Sequence, residues 1–279
     1  MIDYYQNKRQ EERRSRKHKI AAVFLTILTI AVLSGLFWVM HNQISQIKNL
    51  SVNINGPEGD LKNDIGRIYY DVLQNGVFSK VFGNDKNILL ADVYESGIIS
   101  AIQKQFPIIN NLSIRTDILK RSVSVDASVR QRYGIWCFDR NASPDATSTS
   151  DLSPDCYWFD PSGVVFDSAP STEGELINKV VDSSDLAVAL GGRVLPADES
   201  GNIVAMFDLM EKVGFPYRTL YLKDRNLEEI SSSDSVTPVF RFSLMNNPSY
   251  ALRALQDLGS DLKKASYIDL RISNRIYYR

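Results

Sequence analysis

The stretch Ile20–Met40 constrains this chain most, because its 21 residues include no charged side chain. At a rise of ~1.5 Å per residue, a helix of that length covers ~31 Å, which matches the hydrocarbon thickness of a bilayer. We therefore predict a transmembrane helix at 20–40. A cleaved signal peptide is the alternative, but its apolar core usually covers only ~7–15 residues and ends in a small-residue cleavage motif. The sequence HNQISQIKN, which follows, offers no such motif.

The charges on either side of this stretch predict its orientation. Residues 1–19 carry seven lysines and arginines, whereas residues 41–61 carry only Lys48. Because cytoplasmic flanks hold the excess of basic residues, we expect 1–19 to be a mostly disordered cytoplasmic tail, with a short helical extension of the anchor as the alternative. Everything after His41 is then expected outside the cytoplasm, anchored in the bilayer by a single pass.

The composition of the part expected outside the cytoplasm, after His41, excludes some classes of function. Its 25 basic residues are outnumbered by 30 acidic ones, so the charge gives no reason to expect nucleic-acid binding. The only histidines are His18 and His41, outside the expected folded part. We therefore predict no metal and no other cofactor.

Two cysteines flank one polar loop. Cys137 and Cys156 lie on either side of a Ser/Thr/Asp/Pro-rich segment that runs from about Arg140 to Asp155. In an oxidising compartment we predict an intramolecular disulfide, which stabilises a loop of this length by ~3 kcal/mol on the chain-entropy model. Two free thiols are the alternative.

Periodicity predicts an order of strand, helix, helix, strand, strand within 47–131. Alternation indicates a strand at 50–54, and helical spacing indicates a helix at 65–73 with Gly76 just beyond it. We expect a loop up to Asn87, and then a second helix that Asp92 and Glu95 cap and Pro107 ends. Alternation returns from 112 to 129, which predicts a hairpin.

The rest of the chain, 132–279, predicts a mixed α/β domain with an antiparallel-rich sheet. The predicted elements are two aromatic-rich strands beside the cysteines, a turn at Asp160–Gly163, a helix over 203–213, two strands, a helix over 250–264 and a closing strand, Tyr267–Tyr278. The fold class is therefore α+β: one N-terminal transmembrane helix, a small β-α-α-β-β module at 47–131 and the C-terminal domain at 132–279.

No catalytic constellation emerges from the sequence. It contains no GxSxG, HExxH or phosphate-binding glycine loop. Asp139 and Asp160 are more simply turn and strand-end residues than a glycosidase pair. A Ser/Lys hydrolase stays open, but the residues favour a non-enzymatic binding protein with no small-molecule substrate.

Several collinear motifs resemble the FtsQ/DivIB family of bacterial cell-division proteins. NLSVNINGP is similar to the first strand of that family's POTRA domain, and NILLADVYESGIISAIQKQFPIINNLSI to its second half. CYWFDPSGVVF resembles the family's strand-turn-strand, and YIDLRISNRIYY its closing strand. The likeness covers residues 8–279 in order.

This resemblance implies a bitopic scaffold of the divisome that supports septum formation in the bacterial inner membrane. Its implied partners are FtsB-like and FtsL-like membrane proteins, and its implied location is the division site. Two other classes stay open: a membrane-anchored cell-wall hydrolase, and a secretion or pilus assembly component.

The closing strand is the predicted partner-binding element. A terminal strand commonly lies at a sheet edge, where a strand of another protein can add by main-chain hydrogen bonds. The alternative is a central strand that serves only the fold, and for Asp269 with Arg271 a simple ion pair. The predicted binding residues, with Asn274 in the hydrogen-bond ladder, are Tyr267, Asp269, Arg271, Ile272, Asn274, Arg275 and Tyr277.

Overall fold

The structure, a computed structural model, describes residues 2–41, 45–56, 61–82, 86–138, 155–170, 176–184, 188–224, 229–233 and 235–279. The chain divides into two compact units. The first consists of residues 1–102 and 112–127, and the second of 103–111 and 128–279.

A single helix, α1 (Ile2–His41), occupies the N-terminal end of the chain. Its segment Lys19–Val39 is long and apolar enough to cross a membrane, by length and composition, and none of the side chains that the structure describes in it is buried within the protein. The expectation that 1–19 would be mostly disordered is wrong. That segment consists largely of good helix formers such as Gln, Glu, Arg and Lys, and no Gly or Pro precedes Gly35, so the helix extends back to Ile2.

The predicted order of strand, helix, helix, strand, strand is present in residues 49–129. Three strands form one sheet in the order β1-β3-β2: β1 (Asn49–Asn55), β2 (Ile109–Asp117) and β3 (Ser122–Val129). The two main helices are α2 (Leu61–Asn75) and α4 (Glu95–Gln105). Their helical spacing buries one apolar face, which includes Ile65, Leu73, Ile98 and Ile102.

Two further elements lie between α2 and α4, one within the stretch predicted as a loop and one directly after Asn87. One is the short helix α3 (Val77–Phe82), and the other a 3₁₀ turn at Ile88–Leu90. The Asn87 side chain accepts a hydrogen bond of 2.9 Å from the Leu89 N–H and so caps the 3₁₀ turn. Elements of six and three residues are too short for a period of 3.6 to be visible, which is why the sequence did not reveal them.

One continuous nine-stranded sheet forms the second unit, in the order β12-β11-β10-β9-β8-β7-β4-β5-β6. Three of its neighbouring pairs are parallel, namely β4 with β7, β7 with β8 and β10 with β11, and the others are antiparallel. The strands are β4 (Gly134–Phe138), β5 (Asp155–Phe159), β6 (Val165–Ser168), β7 (Asn178–Asp182), β8 (Thr219–Asp224), β9 (Glu229–Ser232), β10 (Val239–Ser243), β11 (Tyr267–Leu270) and β12 (Tyr277–Tyr278).

The main core of this unit contains one face of the sheet. Alternate residues of the strands enter it, among them Trp136, Val180, Leu220, Phe240 and Ile268. Helix α5 (Ala197–Lys212), which connects the parallel strands β7 and β8, adds four buried side chains: Ile203, Met206, Phe207 and Met210.

The cysteines belong to the opposite side of β4 and β5. Cys137 and Cys156 are directly opposite each other in the antiparallel register and form a disulfide. A small separate cluster surrounds them, with Ile135 buried and Trp158 partly buried. The polar loop predicted between the cysteines falls mostly on 139–154, outside the described residues.

The helix predicted over 250–264 is not continuous. The chain forms a 3₁₀ turn at Pro248–Ala251, the helix α6 (Leu252–Leu258) and a second 3₁₀ segment at Gly259–Lys264. The break occurs at Gly259, whose φ of +50° lies in the left-handed region that glycine tolerates. Leu255 and Leu262 are nevertheless buried, as their spacing predicts.

A buried aspartate organises the predicted turn at 160–163. One oxygen of Asp160 accepts hydrogen bonds from the Ser162 N–H (2.9 Å), the Ser162 hydroxyl (2.7 Å) and the Val164 N–H (3.1 Å). Its other oxygen pairs with Arg130 at 2.6 Å. Burial raises the pKa of Asp160, but these hydrogen bonds and the charge of Arg130 outweigh burial and leave the pKa below its usual range.

We expect Gly163→Ala to lower the free energy of unfolding by about 1–3 kcal/mol. Gly163 has a φ of +78°, and a Cβ there would collide with Ser200. Gly201→Ala is the matched control: Gly201 lies in α5 with nothing within 4 Å of the added Cβ, so it should be neutral or stabilising by up to about 1 kcal/mol. Urea unfolding of both variants measures the difference, and equal stabilities would contradict it.

Candidate functional site

The end of the chain is a hairpin rather than the single predicted strand. β11 pairs parallel with β10 on one side and antiparallel with β12 on the other. Between β11 and β12 the chain turns, with the Arg275 N–H bonded to the Ile272 carbonyl at 3.2 Å. The prediction that Tyr267–Tyr278 forms one strand is therefore wrong, because the alternating pattern continues through a turn.

Asn274 lies in this turn and not in the hydrogen-bond ladder, which corrects a second prediction. Its φ of +60° is in the left-handed region, which Asn tolerates better than most residues do. Proline, whose φ is fixed near −65°, cannot adopt this conformation. A proline at 274 would therefore distort the turn and would not test the ladder.

A tyrosine that the sequence did not single out holds the turn. The Tyr250 hydroxyl lies within hydrogen-bond distance of three carbonyl oxygens, those of Leu270 (3.2 Å), Ile272 (3.0 Å) and Arg275 (3.0 Å). Burial and the charge of Asp269 raise the pKa of Tyr250, so the hydroxyl stays protonated and able to donate. In the sequence Tyr250 is only the first residue of a predicted helix, so no local signal marks this role.

Asp269 and Arg271 form a small ion-pair network with Glu229. The Arg271 Nη2 is 2.6 Å from Asp269, and its Nη1 is 2.9 Å from Glu229 of β9. Burial raises the pKa of Asp269, but the hydrogen bonds and charge of Arg271 outweigh burial and hold the pKa below its usual range. Arg271 therefore lies between two carboxylates, and this network gives Asp269 and Arg271 a structural role within the fold.

The last strand presents aromatic side chains at the edge of the sheet. Tyr277 is opposite Asp269 and 44% exposed, and Tyr278 is opposite Ile268 and 49% exposed. Ile272, in the turn, is 52% exposed. On the same edge the Arg275 guanidinium donates to the Tyr277 hydroxyl at 3.4 Å.

The remaining predicted residue, Tyr267, lies further inside the sheet. The Arg241 guanidinium of β10 is 5.6 Å from the centre of its ring, a cation–π distance. Of the predicted residues, Tyr267, Asp269 and Tyr277 therefore lie in the paired strands β11 and β12. Ile272, Asn274 and Arg275 lie in the turn between these strands.

The main chain of β12 faces two ways. The Arg279 N–H donates to the Tyr267 carbonyl at 3.4 Å, so Arg279 bonds toward β11. In an antiparallel pair successive residues alternate between bonding inward and outward. The N–H and C=O of Tyr278 consequently point away from β11, and in the part of the chain that the structure describes no strand pairs with that side.

Comparison with known proteins found no match. No protein-family model matches the chain, and no curated protein matches its sequence.

Among the described residues no group of three or more His, Cys, Asp and Glu side chains is placed to hold a metal ion. Asp139 lies outside the described residues, so the disfavoured glycosidase pair with Asp160 is not tested.

We expect Asp269→Asn to reduce the free energy of unfolding by about 1 kcal/mol near neutral pH, as for a partly exposed ion pair. Because the folded-state pKa of Asp269 is depressed, its stabilisation is present above the pKa of the unfolded chain and is lost as the pH falls through the folded value. The difference in free energy of unfolding between the wild-type protein and Asp269→Asn should therefore shrink as the pH falls below about 4.

The control is Glu229→Gln, which leaves the contact between Arg271 and Asp269 in place and should cost less. Denaturant unfolding across this pH range measures both variants. A gap for Asp269→Asn that stays constant down to acid pH would show that its charge does not stabilise the hairpin.

Proposed function

We propose that this protein is a non-enzymatic scaffold, anchored by α1 in a bacterial cytoplasmic membrane, that binds other membrane proteins of the cell-division machinery. The single observation that carries the proposal is the open edge of the nine-stranded sheet at β12. The apolar segment Lys19–Val39 supports the anchor, because it is long enough to span a bilayer.

The edge supports binding by strand addition. Natural sheets usually protect such an edge with charges, proline or bulges. Here β12 contains no proline, and both of its side chains, Tyr277 and Tyr278, are exposed aromatic ones. A partner strand that pairs with β12 would form main-chain hydrogen bonds for affinity, and contacts with Tyr277, Tyr278 and Ile272 for specificity.

The cell-division role rests on the sequence resemblance to FtsQ/DivIB proteins, including the POTRA-like segment at 47–131. The observed order there, β1, α2, α3, α4, β2 and β3, contains the strand, helix, helix, strand, strand order that periodicity predicts. On this proposal the docked strand comes from an FtsB-like protein, with an FtsL-like protein in the same complex. The protein then acts at the division site in support of septum formation.

Substitutions at Tyr278 test the docking edge. Tyr278→Pro removes the outward N–H, whereas the bond from Arg279 to β11 remains. Tyr278→Ala is the matched control, since it removes the side chain and keeps the donor. We expect Tyr278→Pro to weaken binding of the FtsB-like ectodomain about tenfold more than Tyr278→Ala, because a partner carbonyl left unsatisfied costs about 1–3 kcal/mol.

Binding is measured by titration calorimetry, and thermal melts of both variants report on the fold. Equal affinities for the two variants, with melting temperatures unchanged, would mean that the partner does not pair with β12. A fluorescent fusion that spreads evenly along the envelope of dividing cells, instead of collecting at mid-cell, would contradict the division role itself.

The orientation is a separate prediction. With seven basic residues before the apolar segment, the N-terminus should lie in the cytoplasm. Alkaline phosphatase, which is active only outside the cytoplasm, should be active when fused after Arg279 and inactive when fused before Met1. The opposite result would reverse the topology and remove the docking edge from the side where its partners are expected.

A further inference from the structure

The turn between β2 and β3 exposes two adjacent apolar side chains. Ile118 is 53% exposed and Leu119 is 98% exposed. A single exposed leucine is common on protein surfaces. Two neighbouring exposed apolar residues at the tip of a hairpin, followed directly by Lys120 and Arg121, are less common than a single exposed leucine.

Hydrogen bonds hold this turn in place. The Asp117 carboxylate accepts from the Lys120 N–H at 3.0 Å, and the Ile118 carbonyl accepts from the Arg121 N–H at 3.3 Å. Arg121 itself adopts a φ of +52°. Because the main chain is fixed in this way, Leu119 is held outward by the fold and does not depend on a flexible segment.

The same turn is tied to the start of the folded chain. The Arg121 carbonyl accepts hydrogen bonds from the N–H groups of Lys48 (2.8 Å) and Asn49 (3.4 Å). Lys48 follows Val39, the last residue of the apolar segment, by nine positions. At 3.3–3.6 Å per residue, nine residues reach at most about 30 Å. The Ile118–Leu119 tip is therefore tethered to the point where the chain leaves the apolar helix.

A second set of main-chain contacts fixes the chain even closer to the end of α1. Gln46 forms an isolated β-bridge with Asn87, and the Ile47 N–H bonds to the Lys86 carbonyl at 2.7 Å. Since α1 continues to His41, only four residues lie between the end of the helix and Gln46, the first residue paired with 86–87. The segments 45–49, 86–87 and 117–121 thus converge at one end of that unit.

The described charges at this end are predominantly positive. The described residues of the three segments include four cations, Lys48, Lys86, Lys120 and Arg121, and one carboxylate, Asp117. Asp117 is paired with Lys120 at 3.3 Å. An apolar tip surrounded by basic side chains is the pattern that binds the interface of an anionic bilayer, because the apolar groups enter the headgroup layer while the cations contact phosphate.

We infer that the β2–β3 turn inserts Ile118 and Leu119 into the outer headgroup layer of the membrane that α1 crosses, with Lys48, Lys86, Lys120 and Arg121 against anionic lipid phosphates. The inference rests on the membrane anchor of the proposed function. It gives the first unit a second contact with the bilayer and so fixes its orientation relative to the membrane plane.

Spin labelling of the full chain tests this contact. The native cysteines form a disulfide, so a single introduced cysteine takes the label. Leu119→Cys reports on the turn, and Ala31→Cys reports on the anchor helix. Asn55→Cys is the control, because Asn55 is exposed at the opposite end of β1, about 20 Å from Asn49 at 3.3 Å per residue.

Each labelled protein is reconstituted in nanodiscs that contain phosphatidylglycerol, and the accessibility of the label to O₂ and to a water-soluble nickel chelate is measured. We expect the O₂-to-nickel ratio to be several-fold higher at 119 than at 55. In discs of phosphatidylcholine alone the ratio at 119 should fall toward the control value.

Two results would overturn the inference separately from the anchor. A label at 119 as accessible to nickel as the label at 55, with 31 lipid-like, would place the turn in water. A label at 119 that is shielded from both O₂ and nickel would place it against protein, such as a second copy of the chain. A water-like label at 31 would instead remove the membrane anchor on which both proposals depend.

Discussion

The main-chain hydrogen-bond ladder that runs across nine strands is the interaction on which the second unit depends. Each strand obtains half of its main-chain partners from each neighbour, so the position of every strand is fixed by the next one. The same register sends alternate side chains, such as Trp136, Val180 and Phe240, into the core beside α5. An open ladder must also end, and at one of its ends the short strand β12 has main-chain groups directed outward.

Much of the fold could be predicted from periodicity alone. Alternation predicts strands β1 and β3, and helical spacing predicts helices α2, α4 and α5, whereas β4 is predicted from its aromatic residues beside Cys137. The strands that were missed, β7 (NKVVD) and β9 (EISS), are short and lack a clear alternation. Both are interior strands, and their stability comes from neighbours on each side, as in the parallel pairs of β7 with β4 and β8. Local sequence does not contain that information.

The candidate site was only partly predictable, and for a related reason. The sequence indicated an aromatic edge at the end of the chain, but alternation continues through 271–276 and conceals the turn. The turn depends on distant residues: Tyr250 contacts two of its carbonyls and that of Leu270 at the end of β11, and Asn246 donates to the Arg271 carbonyl at 2.7 Å. Likewise Glu229, which pairs with Arg271, is distant in sequence. Only tertiary structure brings these groups together.

The shortness of β12 determines what kind of partner this edge can select. A strand of two residues offers few outward main-chain groups, so generic pairing with any extended chain gains little there, and short edge strands are one way in which proteins avoid aggregation. A partner that binds tightly must add side-chain contacts, and the exposed rings of Tyr277 and Tyr278 with Ile272 supply apolar surface for them. Tyr250 keeps the adjoining turn fixed, so that this surface is formed before the partner arrives. Specificity at the edge therefore depends on exposed aromatic side chains beside a turn that the Tyr250 hydroxyl holds, and the few main-chain hydrogen bonds add affinity and register.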